Sequence, residues 1–83
     1  MSTLKEIRVF GKPTCRYCDK AKTLLGKTGL AFTYIDVTKY PEAKKFVVDS
    51  WLGMGKEPTV PLIDVDKVLV GGYKELEAYI SAL

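Results

Sequence analysis

The stretch GKPTCRYCDKAK, Gly11 to Lys22, most constrains how this chain can fold. It holds both cysteines of the sequence, Cys15 and Cys18, at the point where a β-prone run gives way to a helical pattern. Ile7, Val9 and Phe10 read as a first strand, stopped by Gly11 and Pro13. From about Thr14 to Lys27 the apolar positions Cys18, Ala21, Leu24 and Leu25 keep helical spacing until Gly29, which gives a first helix.

The rest of the chain extends this alternation. Ala31 to Val37 (AFTYIDV) is β-rich and alternating, a second strand. Pro41 suits a first helical position, and Ala43, Phe46, Val47 and Trp51 carry a second helix to Gly53. After a loop at Met54 to Pro58, the runs Val60 to Val65 and Lys67 to Val70 predict a hairpin with a tight polar turn at Asp64 to Lys67. Tyr73 to Leu83 follows two glycines and shows an amphipathic stripe of Leu76, Tyr79, Ile80 and Leu83, a third helix. The order βαβαββα predicts an α/β fold: a four-stranded mixed sheet with a parallel pair, an antiparallel hairpin and helices on both faces.

Length and charge narrow the function classes. At 83 residues the chain is expected to form one domain, residues 1–83. Hydrophobic residues at 47% and charged ones at 28% predict a soluble globular protein rather than a disordered one. No stretch approaches the roughly 18 apolar residues of a membrane helix. Met1 to Phe10 carries neither a long apolar run nor a small-residue cleavage site, so a cytoplasmic protein with no membrane partner is expected. The net charge of +3 comes from dispersed lysines without interleaved aromatics, which argues against nucleic acid as a partner.

The two cysteines then set the chemistry. A bridge between them closes a very short loop and barely restrains the unfolded chain. A zinc site needs four ligands, and with two cysteines and no histidine the chain would have to recruit carboxylates or a second copy, so no metal is expected. A pair that merely packs in the core is another reading. Against it stands the placement, because Cys15 lies at a helix start, where free backbone N–H groups and the positive end of the dipole favour an anion, with Lys12 and Arg16 adding charge. An ordinary thiol is only about 3% ionised at pH 7, whereas such positions bring thiol pKa values down to roughly 3.5–7.5. A fall of about three units corresponds to about 4 kcal/mol favouring the thiolate. Cys18, one turn deeper on the face of Ala21 and Leu25, is expected to be the more buried thiol that resolves a mixed disulfide formed at Cys15. Such a cycle needs no bound cofactor.

The residues also match a family pattern. FGKPTCRYCDKAK resembles the active-site segment of glutaredoxins, usually C-P-Y-C after a strand and a basic residue. PTVPLIDVDKVLVGGYKEL resembles their T-V-P loop, hairpin and G-G-Y/C-x-D turn in the same order, and YIDV fits the second strand. The likeness covers nearly the whole chain, with the second helix and the loop after it least similar. It implies a thioredoxin-like fold with a redox-active Cys15–Cys18 disulfide. It further implies a monomeric, glutathione-dependent thiol–disulfide oxidoreductase with glutathione as co-substrate. The clients it implies are disulfide-containing or glutathionylated proteins, ribonucleotide reductase among them.

The same resemblance assigns residues. Val60-Pro61 becomes a cis peptide in the loop Thr59-Val60-Pro61, where the Val60 backbone pairs with the cysteine moiety of glutathione as an added strand. Lys12 and Tyr17 match positions that hold the glycine end of glutathione. Gly72, Tyr73, Lys74 and Glu75 match the turn whose backbone N–H groups bind the γ-glutamyl carboxylate and whose acidic side chain takes the ammonium. Three positions depart from the pattern: Arg16 replaces the usual proline, Glu75 stands where aspartate is common, and Lys74 replaces a small polar residue. Two further readings stay open: a redoxin recharged by thioredoxin reductase, and a dimer holding an iron–sulfur cluster through Cys15 and two glutathiones. Bulky Arg16 argues against the second.

Overall fold

The computed structural model describes residues 5–83; the first four residues of the segment read as lacking a leader lie outside it. The elements run β1 (Ile7–Gly11), α1 (Arg16–Lys27), β2 (Thr33–Asp36), α2 (Pro41–Gly53), β3 (Leu62–Val65), β4 (Val68–Gly71) and α3 (Tyr73–Ser81). They form one four-stranded sheet in the order β2-β1-β3-β4. β1 pairs parallel with β2 and antiparallel with β3, and β3 pairs antiparallel with β4. This is the mixed βαβαββα sheet expected from the sequence.

Alternation along the central strands divides the core in two. Ile7, Val9, Ile63 and Val65 point to one face, where they pack with Ala21 and Leu25 of α1 and Leu76 of α3. Phe10 and Leu62 point to the other face and meet Val47 and Trp51 of α2. Leu25, Leu62, Ile63 and Leu76 are fully buried, and each such side chain contributes roughly 1.5–3 kcal/mol. Helices therefore cover both faces.

Element ends differ from expectation by one or two residues, for local reasons. α1 begins at Arg16 rather than Thr14, because Cys15 is its extended N-cap and Thr14 has a positive φ of 59°. β2 is shorter than Ala31 to Val37, since its ladder with β1 starts at the Arg8–Thr33 pair. Val60 and Pro61 lie outside β3, where proline has no N–H to give a ladder. The hairpin turns at Asp66 and Lys67, both with positive φ, as a two-residue turn matching strand twist requires. A register irregularity between Ile63 and Asp64 then carries β4 to Gly71. Gly71 has a φ of 126°, and a Cβ there would lie 2.8 Å from Cγ of Glu75. α3 stops at Ser81 with Ala82 as its cap, so Leu83 is exposed beyond the helix. No helix among the described residues is long and apolar enough to cross a membrane.

Candidate active site

The junction of β1 and α1 sets the two sulfurs at different depths. As N-cap, Cys15 has extended backbone dihedrals, and its Sγ accepts a hydrogen bond from the Cys18 N–H at 3.2 Å. That is one of the free N–H groups a helix start offers. Cys15 is partly exposed, Cys18 is fully buried, and the two are joined in a disulfide. An incoming sulfur can therefore reach Cys15 and not Cys18. Cys18 lies against the end of β1, where a Cβ on Gly11 would come within 2.8 Å of its Sγ and 3.0 Å of the Tyr34 ring. Burial, then the charges of Asp36 and Asp19, push the Tyr34 phenol above its ordinary value, so it stays neutral beside Cys18.

The loop before β3 supplies the opposite wall. The Val60-Pro61 peptide is cis, as the resemblance implies, and the Val60 carbonyl oxygen lies 3.9 Å from Cys15 Sγ. Trp51 of α2 fixes this loop: its indole Nε1 donates to the Thr59 carbonyl at 2.7 Å. A groove of about 630 Å³ runs beside the sulfur, lined by Lys12, Cys15, Thr38, Lys44, Thr59 and Val60 among others.

The structure divides the remaining candidate residues. Tyr17 is half exposed and packs against Tyr73 with ring centroids 5.8 Å apart, while Lys20 Nζ sits 4.9 Å over the Tyr17 ring. Neither tyrosine lines the groove of Lys12 and Val60. Arg16 lines a second depression on the α1–α3 side of the molecule, which includes Tyr73. Gly72 caps α3, and its N–H donates to Oε1 of Glu75 at 2.8 Å. The carboxylate expected to take an ammonium, and a backbone N–H expected to meet a carboxylate, thus satisfy each other. Lys74 is exposed beside them. Among the described residues, no three His, Cys, Asp or Glu side chains converge as metal ligands.

Sequence reasoning missed Trp51, Lys44 and Thr38. A signal existed for Trp51, since a buried indole N–H needs an acceptor. Nothing in the sequence marked Lys44 or Thr38, which reach the groove only through the packing of α2 against the sheet.

The sequence profile of the Glutaredoxin family matches residues 7–70. The chain belongs to the glutaredoxin family. Its curated glutaredoxin relatives include Glutaredoxin 1 of Rickettsia prowazekii, 36% identical over 77 residues, covering 90% of this chain and 77% of the relative. The solution structure of a glutaredoxin from Brucella melitensis superposes with a TM-score of 0.78 at 30% identity, over 98% of this chain and 84% of that one. A crystal structure of a buckwheat glutaredoxin–glutathione complex shares the fold, with a TM-score of 0.76 at 22% identity over 94% of this chain and 71% of that one. Glutaredoxin membership and the disulfide-forming Cys15–Cys18 pair make this protein a thiol–disulfide oxidoreductase of thioredoxin-like fold.

Proposed function

We propose that this glutaredoxin reduces protein disulfides and glutathione mixed disulfides, ribonucleotide reductase among its clients, and is re-reduced by glutathione. In this reading residues 1–83 act as one monomeric cytoplasmic domain, with glutathione as co-substrate and no bound cofactor. One observation carries it: Cys15 Sγ, the Val60 carbonyl and Lys12 meet at a single groove. An extended tripeptide whose sulfur faces Cys15 can pair with the Val60 backbone, since Pro61 offers no competing N–H. Lys12 and Lys44 then face its carboxylate end. The buckwheat protein's glutathione complex supports the same class of ligand for this fold.

The chemistry follows from the depth of the two sulfurs. The Cys15 thiolate attacks the glutathionyl sulfur of a client, forming a Cys15–glutathione disulfide and releasing the client thiolate, which takes a proton from water. A second glutathione thiolate attacks the glutathione sulfur, restoring Cys15 and forming oxidised glutathione. For a protein disulfide, the Cys18 thiolate instead displaces the client from Cys15, closing the Cys15–Cys18 bond, and two glutathiones reopen it. Two electrons move in each case.

A second reading has one observation in its favour. Glu75 occupies the Gly72 N–H, which weakens a glutamyl subsite and favours recharging by thioredoxin reductase. Reduction of a glutathionylated peptide, coupled to glutathione with its reductase or to thioredoxin reductase, separates the two. We expect turnover with glutathione, complete loss in Cys15→Ser and retention in Cys18→Ser. Turnover with thioredoxin reductase alone overturns the glutathione route, and loss in Cys18→Ser alone reverses the two cysteine roles. Visible absorbance after anaerobic purification would point instead to a cluster-binding dimer.

A further inference from the structure

We propose that the α1 face leading away from Cys15 docks an acidic segment of the client protein, on one side of the client's reactive cysteine. The inference rests on thiol–disulfide exchange at Cys15 and does not depend on glutathione. Arg16, Lys20, Thr23 and Lys27 stand at helical intervals and all are exposed, so they form one stripe. Together with half-buried Leu24 and Tyr73 they line a depression of about 610 Å³, which shares no lining residue with the groove of Lys12 and Val60.

The stripe is positive on balance. It carries three cations, and its single acid, Asp19, has its carboxylate 3.7 Å from Lys22 Nζ. At 1.5 Å per residue the distance from Arg16 to Lys27 is about 16 Å along the helix, which about five residues of extended peptide cover. Because Cys15 lies at one end, the complementary acids belong within about five residues of the client cysteine. Leu24 and Tyr73 give that segment an apolar floor. A nucleic acid would match the charge, but it offers no sulfur to the residue at the end of the stripe. The reduced Cys15–Cys18 pair supplies both electrons: Cys15 bonds to the client sulfur as its disulfide breaks, and Cys18 then displaces the client.

The test uses reduced protein and peptides whose single cysteine is bonded to thionitrobenzoate. Exchange releases the coloured thiolate and the peptide thiol while Cys15 and Cys18 become oxidised. Peptides carry four glutamates before the cysteine, four after it, or serines in their place. At about 20 mM ionic strength, one glutamate peptide should react about tenfold faster than the serine peptide, and at about 300 mM the advantage should vanish. Thr23→Glu combined with Lys27→Glu should remove the advantage and leave the serine peptide within about twofold. Thr23→Glu alone, which places an acid three residues from Lys20 and four from Lys27 and so supports the helix, should remove part of it. Equal rates for all peptides, an unchanged advantage in the double variant, or an equal slowing of the serine peptide would overturn the proposal. So would displacement of the acidic peptide by single-stranded DNA of the same charge, if equally effective on wild type and double variant. Failure of wild-type protein to release thionitrobenzoate from any peptide would instead overturn the exchange chemistry, and the proposal with it.

Discussion

Arg8 and Asp64 face each other across the β1–β3 ladder, and the guanidinium binds the fully buried carboxylate through both Nε and Nη2. Arg8 also lies 5.1 Å above the Phe10 ring and 5.4 Å from that of Phe46. The hydrogen bond to Asp64 raises the arginine pKa above its ordinary value, so the guanidinium stays charged across the working pH range. Removing one partner strands a charge, so Arg8→Ala should lose about 3–5 kcal/mol in urea unfolding. Replacing the pair together, as Arg8→Met with Asp64→Leu, should recover most of it. A double variant as unstable as Arg8→Ala would show that the stranded carboxylate is not the source of the loss.

Cys15 should alkylate with iodoacetamide at mildly acidic pH much faster than a free cysteine, measured in Cys18→Ser to isolate one thiol. Arg16 is the first residue of α1 and is exposed, so its charge should support the thiolate mainly at low salt. Arg16→Pro should therefore titrate at higher pH than wild type by thiolate absorbance, and the gap should narrow as salt is added. A lower titration point in Arg16→Pro would remove Arg16 from the site.

The proposed contact of Glu75 with glutathione can be tested apart from its hydrogen bond to the Gly72 N–H. Glu75→Gln keeps an oxygen for the Gly72 N–H but loses the charge, so it should raise KM for glutathionylated peptide with little change in Tm. Glu75→Ala loses the cap as well and should cost about 1 kcal/mol. If Gln leaves KM unchanged and only Ala raises it, the charge is not what holds the substrate.

Asp36 closes β2, and its Oδ1 accepts from the Thr38 hydroxyl at 2.6 Å and the Thr38 N–H at 2.8 Å. The hydroxyl bond is the main cause holding this carboxyl below its ordinary value of 3.8. A depressed carboxyl contributes stability that is complete above its unfolded pKa and lost as pH falls through the lower folded value. Thr38→Ala should therefore melt below wild type at pH 7, and the two should converge as pH drops below 3.8. A constant difference down to pH 2 would assign the loss to packing.

Much of this was legible in the sequence, because the local patterns agree with one another. Cys18, Ala21 and Leu25 marked the buried side of α1, and that placed Cys15 at its exposed start. The order of elements implied helices on both faces of the sheet, but Arg8 and Asp64 read as separate polar strand positions until the β1–β3 register sets them opposite each other. The groove was only half legible. Lys12, Thr59 and Val60 lie in recognisable motifs, whereas Lys44 and Thr38 join them through tertiary packing alone. Glu75 was legible as an acid at a helix start, yet its engagement with Gly72 depends on a rotamer that residue type does not specify.

The Trp51 hydrogen bond to Thr59 gives the molecule an intrinsic optical gauge. Trp51 is the sole tryptophan, and its ring nitrogen is tied to the carbonyl immediately before the residue that faces Cys15. Whatever settles against that segment disturbs the environment of the one dominant fluorophore, so redox cycling and ligand uptake can be followed by emission without attaching a dye.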